Sequence, residues 1–188
     1  MESLSDELLV RQVLGGTTEA FGVLVKRYER QIYSLAYRLT NDSEEAQDLG
    51  QEAFIKIYRS LDKYDPGRPF FSWMYKVAAN QCYSILRQKR EAMTSLEEVA
   101  DFVPSDPEVA SHPELYAENA ETRRRVREAL AGLPENYRMP LVLRYLEDLS
   151  YREIAEMLDL SLSAVESRIH RGRQMLISTL DGAGFRER

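Results

Sequence analysis

The stretch that decides the fold is "LSYREIAEMLDLSLSAVESRIHRGRQML", residues 149–176. Two helical patterns flank a very short break. The first, Tyr151 to Leu158, puts Ile154, Ala155 and Leu158 on one face. The second starts after Ser161 and spaces Val165 and Ile169 four apart. A short helix, a tight turn and a second helix form the pattern of a helix-turn-helix, whose second helix enters the major groove by its N-terminal end. On that reading Leu162, Ser163, Ala164 and Ser167 face the bases, and Arg168 and Arg171 follow. Guanidinium groups bind guanine edges or phosphates, and the small residues permit close approach. A solvated amphipathic helix would look the same, so this stretch by itself leaves both readings open.

Working outward, the chain has 188 residues, room for one large domain or two small ones at ~100–200 residues per domain. Segments with helical period dominate and alternating Val/Ile/Thr runs are nearly absent, which predicts an all-α fold. The single cysteine, Cys82, excludes an internal disulfide and fits a reducing, cytoplasmic compartment. The N-terminus "MESLSDELLVRQVLGG" carries early acids and does not read as a signal peptide. No run approaches the ~18 apolar residues of a membrane span, so no membrane insertion of this chain is expected.

The net charge of −6 hides a strong asymmetry. Residues 91–122 hold nine acids and no Lys or Arg. Residues 1–90 hold 13 Lys and Arg against 12 Asp and Glu, and residues 123–188 hold 12 against 10. The acidity is local, so it does not argue against a nucleic-acid partner. The same middle segment contains Pro104, Pro107 and Pro113 and little periodicity, and reads as a linker. This divides the chain into two small helical domains, 1–92 and 118–188, joined by an acidic linker at 93–117.

The first domain reads as four helices. Asp6 to Leu14 stops at Gly15-Gly16, and Thr17 or Thr18 caps the next helix, which runs to about Leu39. Its apolar stripe is Phe21, Leu24, Tyr28, Ile32, Leu35 and Leu39. "NDSEEAQDL" supplies cap residues and early acids for a third helix to about Leu61. "DKYDPGRP" is a loop, and Phe71 or Ser72 opens a helix to about Arg90. The second domain has helices from Glu118 to Leu130, from Pro134 through Tyr145, and then the opening pair. Pro140 should bend the middle one or shift its start.

Catalytic chemistry is nearly absent from the sequence. His112 and His170 have no Cys or acid at metal-ligand spacing, and there is no glycine-rich phosphate loop. No catalytic residue, metal ligand or cofactor is expected, and an enzyme is not.

A second patch favours nucleic acid. "RPFFSWMYKVAANQCYSILRQKR", residues 68–90, interleaves aromatic and basic residues. Lys76, Asn80, Tyr83, Arg87 and Arg90 form one polar stripe, with Met74, Ala78, Cys82 and Ile85 on the buried side. Single strands are bound by stacking platforms beside a basic track. Phe70, Phe71, Trp73 and Tyr83 could stack or hold a flipped base, and Trp73 and the Phe pair could equally be core.

These stretches, together with "YERQIYSLAYRLTNDSEEAQDLGQEAFIKIYRSLDKYD" and "LPENYRMPLVLRYLEDLSYREIAEML", resemble an extracytoplasmic-function (ECF, group IV) sigma factor of bacterial RNA polymerase, in the sigma-70 family. The resemblance covers nearly the whole chain outside the linker. It implies a first domain that binds the polymerase clamp and opens the −10 promoter element, and a second that binds the flap and reads the −35 element. Clamp contact falls on Asp48, Gln51 and Glu52, which share one helix face with Ile55. The −10 recognition falls on the 62–72 loop and Asn80, beside the residues of the polar and aromatic stripe, Arg68, Phe70, Phe71, Trp73, Lys76, Tyr83 and Arg87. The −35 contacts fall on Arg144, Ser161, Leu162, Ser163, Ala164, Ser167, Arg168 and Arg171. The implied partners are core RNA polymerase, promoter DNA and an anti-sigma factor.

The chain departs from the family pattern at Gly50, where the family has a valine, and at Ser84, Ala164 and Glu166. The alternative is a helix-turn-helix transcription regulator that acts without being a polymerase subunit. Such proteins usually dimerise on palindromic sites, and no spare apolar helix is evident for a dimer interface.

Overall fold

The computed structural model describes residues 4–94 and 115–182. Eight α-helices and one short 3₁₀ turn make up the described residues, with no strand among them. They are α1 (Asp6–Leu14), α2 (Glu19–Thr40), α3 (Ser43–Arg59), the 3₁₀ turn Leu61–Lys63, α4 (Phe70–Thr94), α5 (Leu115–Ala131), α6 (Glu135–Tyr145), α7 (Tyr151–Leu158) and α8 (Leu162–Gly182). The all-α expectation holds. Most of the proposed linker, with its three prolines and His112, lies outside the described residues. Helix α4 runs two residues past the expected boundary at 92, and α5 begins three before 118.

Local chemistry explains where these helices begin and end. Ser5 caps α1, accepting from the Leu8 amide at 3.4 Å, and Gly16 takes φ +99° just beyond its end. A left-handed backbone of that kind is where glycine costs least. The expected threonine cap of α2 is not made: Thr18 sits at the cap position in helical backbone, and its hydroxyl bonds no helix amide. Backbone bonds from Ala20 to Thr17 and from Phe21 to Thr18 close that turn instead. At the other end Asn41 adopts φ 55°, and its amide reaches the Tyr37 carbonyl at 2.8 Å. The next residue, Asp42, accepts from the Glu45 amide at 2.8 Å and starts α3. One left-handed residue followed by one cap thus folds α3 back on α2.

In α2, Leu24, Ile32, Leu35 and Leu39 of the predicted stripe are buried, and Phe21 and Tyr28 are half-buried at its edge. Helix α3 buries Ala46, Leu49, Ala53 and Ile57, and α4 buries Met74, Ala78 and Cys82 as expected. Leu86, rather than Ile85, completes the buried side of α4. Helix α4 starts one residue earlier than expected, at Phe70, because the Phe70 ring is 1 % exposed and anchors the turn in the core.

In the second half, Pro134 occupies the cap position of α6 rather than its first helical residue. Pro140 lies inside the helix, which continues without interruption to Tyr145. Helix α7 opens with a reciprocal cap: the Ser150 amide donates to Glu153 at 2.8 Å and the Glu153 amide to Ser150 Oγ at 3.3 Å. Hydrogen bonding of its carboxylate to Ser150, the side chain first and then the backbone, holds Glu153 below its ordinary pKa. Asp159 closes α7 at φ 53°, and two residues later Ser161 accepts from the Ala164 amide at 3.2 Å and starts α8. The helix-turn-helix is thus built by a left-handed stop and a serine start. The two halves are in contact. Helix α4 packs on α6 and α7, α2 packs on α5 and α6, and the buried apolar residues of both halves join in one core.

Candidate nucleic-acid interface

The candidate surface for a single strand lies at the start of α4. An aromatic cluster forms there. Tyr64 meets Phe70 edge-on at 5.3 Å and Trp73 at 5.4 Å, and Tyr28 meets Phe70 at 6.1 Å and Phe71 at 5.7 Å. Such pairs fix ring orientation beyond simple burial. The Tyr64 hydroxyl donates to the Arg68 carbonyl at 2.7 Å, so the preceding loop is tied to the same cluster.

This arrangement sorts the expected residues. Phe71 is 41 % exposed and Trp73 is half-buried, so each has a ring face or edge at the surface. Arg68, Lys76 and Arg87 are exposed, and Asn80 and Tyr83 are half-buried between them. Phe70 does not belong to this surface. Its ring is fully packed against Tyr28, Tyr64 and Trp73, so it supports the platform from below and cannot stack on a base. Tyr28 and Tyr64 were missed by the sequence reading. Tyr28 is visible only as part of the apolar stripe of α2, and Tyr64 only as part of a loop.

The second surface is the start of α8. Ser163, Ser167 and Arg171 are exposed, Leu162 is 41 % exposed, and Val165 and Ile169 are buried beneath them. Ala164 is half-buried where the helix meets the turn. The Ser161 hydroxyl is taken up by the cap and lies 3.2 Å from the Ser163 hydroxyl. Arg168 is half-buried, and its Nη1 donates to the Tyr83 hydroxyl at 3.4 Å. Arg144 is committed locally. Its Nη1 donates to the Leu149 carbonyl at 3.0 Å, Asp148 is 3.9 Å away, and its guanidinium lies over the Tyr151 ring at 5.6 Å. It braces the bend into α7.

A third surface lies apart from both. Asp48, Gln51, Glu52 and Ile55 project from the outer face of α3 and are all exposed, Ile55 by 43 %. No group of three His, Cys, Asp or Glu side chains among the described residues could hold a metal ion. Cys82 is buried, and burial pushes its thiol up to about 12, so it is neither ligand nor nucleophile in the folded chain. No helix among the described residues is long and apolar enough to cross a membrane.

Two family descriptions match the halves just described. Sigma-70 region 2 matches residues 24–92, and sigma-70 region 4 matches residues 123–176. The first match removes the alternative of a stand-alone helix-turn-helix regulator. The ECF RNA polymerase sigma factor SigW of Bacillus subtilis (strain 168) is 34 % identical, over 89 % of this chain and 92 % of its own. The ECF RNA polymerase sigma-E factor of Escherichia coli (strain K12) is 36 % identical, over 93 % and 94 %. Among solved structures, CnrH in complex with the cytosolic domain of CnrY aligns over 94 % of this chain and 97 % of its own, with TM-score 0.60 and 28 % identity. The sigma factor RpoE from Bartonella quintana, solved with the anti-sigma factor NepR, shares the fold at TM-score 0.63 and 22 % identity, over 86 % and 96 %. The chain belongs to the extracytoplasmic-function group of the sigma-70 family, the sigma factors of bacterial RNA polymerase.

Proposed function

We propose that the division of labour within this sigma factor follows its three exposed surfaces. The outer face of α3 binds the clamp of core polymerase through Asp48, Gln51, Glu52 and Ile55. The start of α4, with Arg68, Phe71, Trp73, Lys76, Asn80, Tyr83 and Arg87, holds unpaired bases of the −10 element. The start of α8, with Leu162, Ser163, Ala164, Ser167, Arg168 and Arg171, reads the −35 duplex. Ser161 and Arg144 hold the frame of that reader. The chain initiates transcription as a polymerase subunit and carries out no covalent chemistry of its own.

The observation that carries this reading is the two-sided character of α3. One face is buried apolar side chains, and the other leaves two acids, an amide and an exposed isoleucine outward with no intramolecular use. An exposed apolar residue ringed by charge fits a protein partner better than DNA, which would repel the two carboxylates. Control by a protein inhibitor, an anti-sigma factor, fits the same chain. The relative CnrH was solved with such a protein-sized partner, the cytosolic domain of CnrY.

The test is capture by core RNA polymerase followed by promoter-directed transcription in vitro. The parent chain should bind core polymerase and support specific initiation. The double variant Asp48→Ala with Glu52→Ala should lose binding while keeping its helix content. Retention of parental affinity in that variant would rule out the α3 assignment.

A further inference from the structure

We propose that Tyr64 is a positioning residue for −10 recognition: its hydroxyl sets the shape of the Asp65–Pro69 loop before DNA arrives. The proposal rests on the assignment of that loop and the start of α4 to the −10 element. The loop reads Asp-Pro-Gly-Arg-Pro, residues 65–69. Its prolines fix φ at Pro66 and Pro69, and each pushes the residue before it, Asp65 and Arg68, towards extended backbone. Few shapes are left to such a loop, and hydrogen bonds choose among them. The Arg68 amide donates to the Asp65 carbonyl at 3.0 Å, which closes a turn with proline at its second position. The Gly67 amide donates to Asp65 Oδ1 at 2.9 Å inside that turn. The Tyr64 hydroxyl donates to the Arg68 carbonyl at 2.7 Å and ties the far end of the turn to the core.

The hydroxyl is not needed for packing. The Tyr64 ring is buried, edge-on to Phe70 at 5.3 Å and 5.4 Å from Trp73. A phenyl ring would fill that place equally well. What the oxygen adds is the reach to a loop carbonyl. Burial first, and then the acids Glu7, Asp6 and Asp65, raise the pKa of the hydroxyl, so it keeps the proton it donates.

The backbone of the loop is held, and its side chains are free. Every residue from Asp65 to Pro69 is exposed, and the Arg68 side chain keeps 80 % of its surface open beside Asp65 at 3.8 Å. That is the arrangement of a reading edge. A loop already in its bound shape loses little conformational entropy on binding, so more of the contact energy appears as affinity. A loose loop adapts to several bases, whereas a fixed one discriminates between them. Tyr64 thereby acts on base choice through Arg68 and its neighbours, without touching DNA itself.

The experiment assembles holoenzyme with the full parent chain or with Tyr64→Phe and presents promoter pools randomised at −10 or at −35. Sequencing the transcripts gives the base preference at each position. Tyr64→Phe should flatten the preference within the −10 element roughly three- to tenfold, the factor that one neutral hydrogen bond represents, and leave the −35 preference as in the parent. A merely structural role would lower transcript yield on every sequence and keep the preferences. Parental sharpness at −10 overturns the proposal, whatever the yield, and so does equal flattening at −35. Phe71→Ala, which alters the platform directly, separates this from the underlying assignment. Flattening by Phe71→Ala and not by Tyr64→Phe defeats the role of Tyr64 alone. Parental −10 preference in both variants defeats the −10 assignment as well. Should Tyr64→Phe fail to bind core polymerase, Asp65→Ala decides by the same criteria, because it frees the Gly67 amide of the same turn from an exposed position.

Discussion

The Tyr28 hydroxyl donates to the Asp6 carboxylate at 2.5 Å, and Arg27 closes an ion pair on the other oxygen of the same carboxylate. Arg27 also donates to the Leu4 carbonyl at 3.0 Å, so the first turn of α1 is pinned to α2. The Tyr28 ring then touches both Phe70 and Phe71. One carboxylate at the N-terminus thus orients the aromatic platform at the start of α4. Burial, and then this bond, raise the pKa of the Tyr28 hydroxyl well above its ordinary value, so it stays protonated and can donate throughout the physiological range.

Asp6→Asn should weaken this support without removing any group that faces DNA. A hydrogen bond to a charged acceptor is worth about 1.5–3 kcal/mol, and a loss of that order is expected in urea unfolding. The holoenzyme should form fewer open complexes, read as lower permanganate reactivity of −10 thymines, while −35 duplex contacts in a footprint stay as in the parent. Unchanged thymine reactivity would show that the platform needs no support from α1.

Two helical glycines, Gly50 in α3 and Gly172 in α8, should respond oppositely to alanine. A Cβ at Gly50 meets nothing within 4 Å, so Gly50→Ala gains helix propensity of about 1 kcal/mol. At Gly172 a Cβ would come within 2.9 Å of Leu141 Cδ1 and 3.2 Å of Tyr137 Cβ, both on α6. Overpacking of that kind costs about 1–3 kcal/mol, which offsets the propensity gain and exceeds it where α6 does not move. Urea unfolding of both variants checks the signs. A stabilised Gly172→Ala would mean that α6 yields freely to α8.

Much of this fold is legible in the sequence because it is periodic or punctuated. The stripe of α2, the caps Asp42 and Ser150 and the serine start of α8 are written in adjacent residues. The outer face of α3 follows from helical spacing alone. Phe70 and Phe71 are not distinguished this way. They are adjacent aromatics, and their fates differ because Tyr64 and Trp73 pack on Phe70, while Tyr28 touches both rings. The local partners of Arg144, the Leu149 carbonyl and the Tyr151 ring, are likewise invisible in the sequence, where it is only a basic residue near the helix-turn-helix. The packing of the two halves joins their apolar residues in one core and adds isolated pairs, Arg38 with Glu147 and Arg90 with Glu135, which leave no pattern in either segment.

Cys82 should be inert in the native chain. It is fully buried in α4, and its thiol is held far above the ordinary range by loss of solvation. At pH 8 a thiol reagent should react only through unfolding, so its rate should rise with urea in step with global unfolding. The linkage has a defined sign. The unfolded chain gives up this proton near the ordinary value of 9, and the folded chain keeps it to about 12. Stability from this group is therefore present below pH 9 and declines as pH rises through that window. Rapid modification at pH 8 without denaturant would place the thiol at the surface instead.

Glu166 sets the last expectation. It is exposed beside Ser167, one position round the helix from the buried Val165. That rotation carries it away from the core and towards the edge of the groove rather than its floor. A carboxylate there meets phosphates, which it repels, more readily than it meets a cytosine amino group. We infer that it acts as a brake on non-specific binding and leaves sequence reading to Ser163, Ser167 and the two arginines. Glu166→Lys should then tighten holoenzyme binding to cognate and scrambled promoters alike, and should steepen the salt dependence by about 0.9 in the log–log slope, one added phosphate contact. Arg171, also exposed, provides the converse. Arg171→Ala should lower the slope by about the same amount if it holds a phosphate, or cost about 1–3 kcal/mol on the cognate site alone if it reads a guanine. Salt titrations on both promoters separate these cases. Loss of discrimination in Glu166→Lys, with the slope unchanged, would make Glu166 a base reader and put it on the floor of the groove.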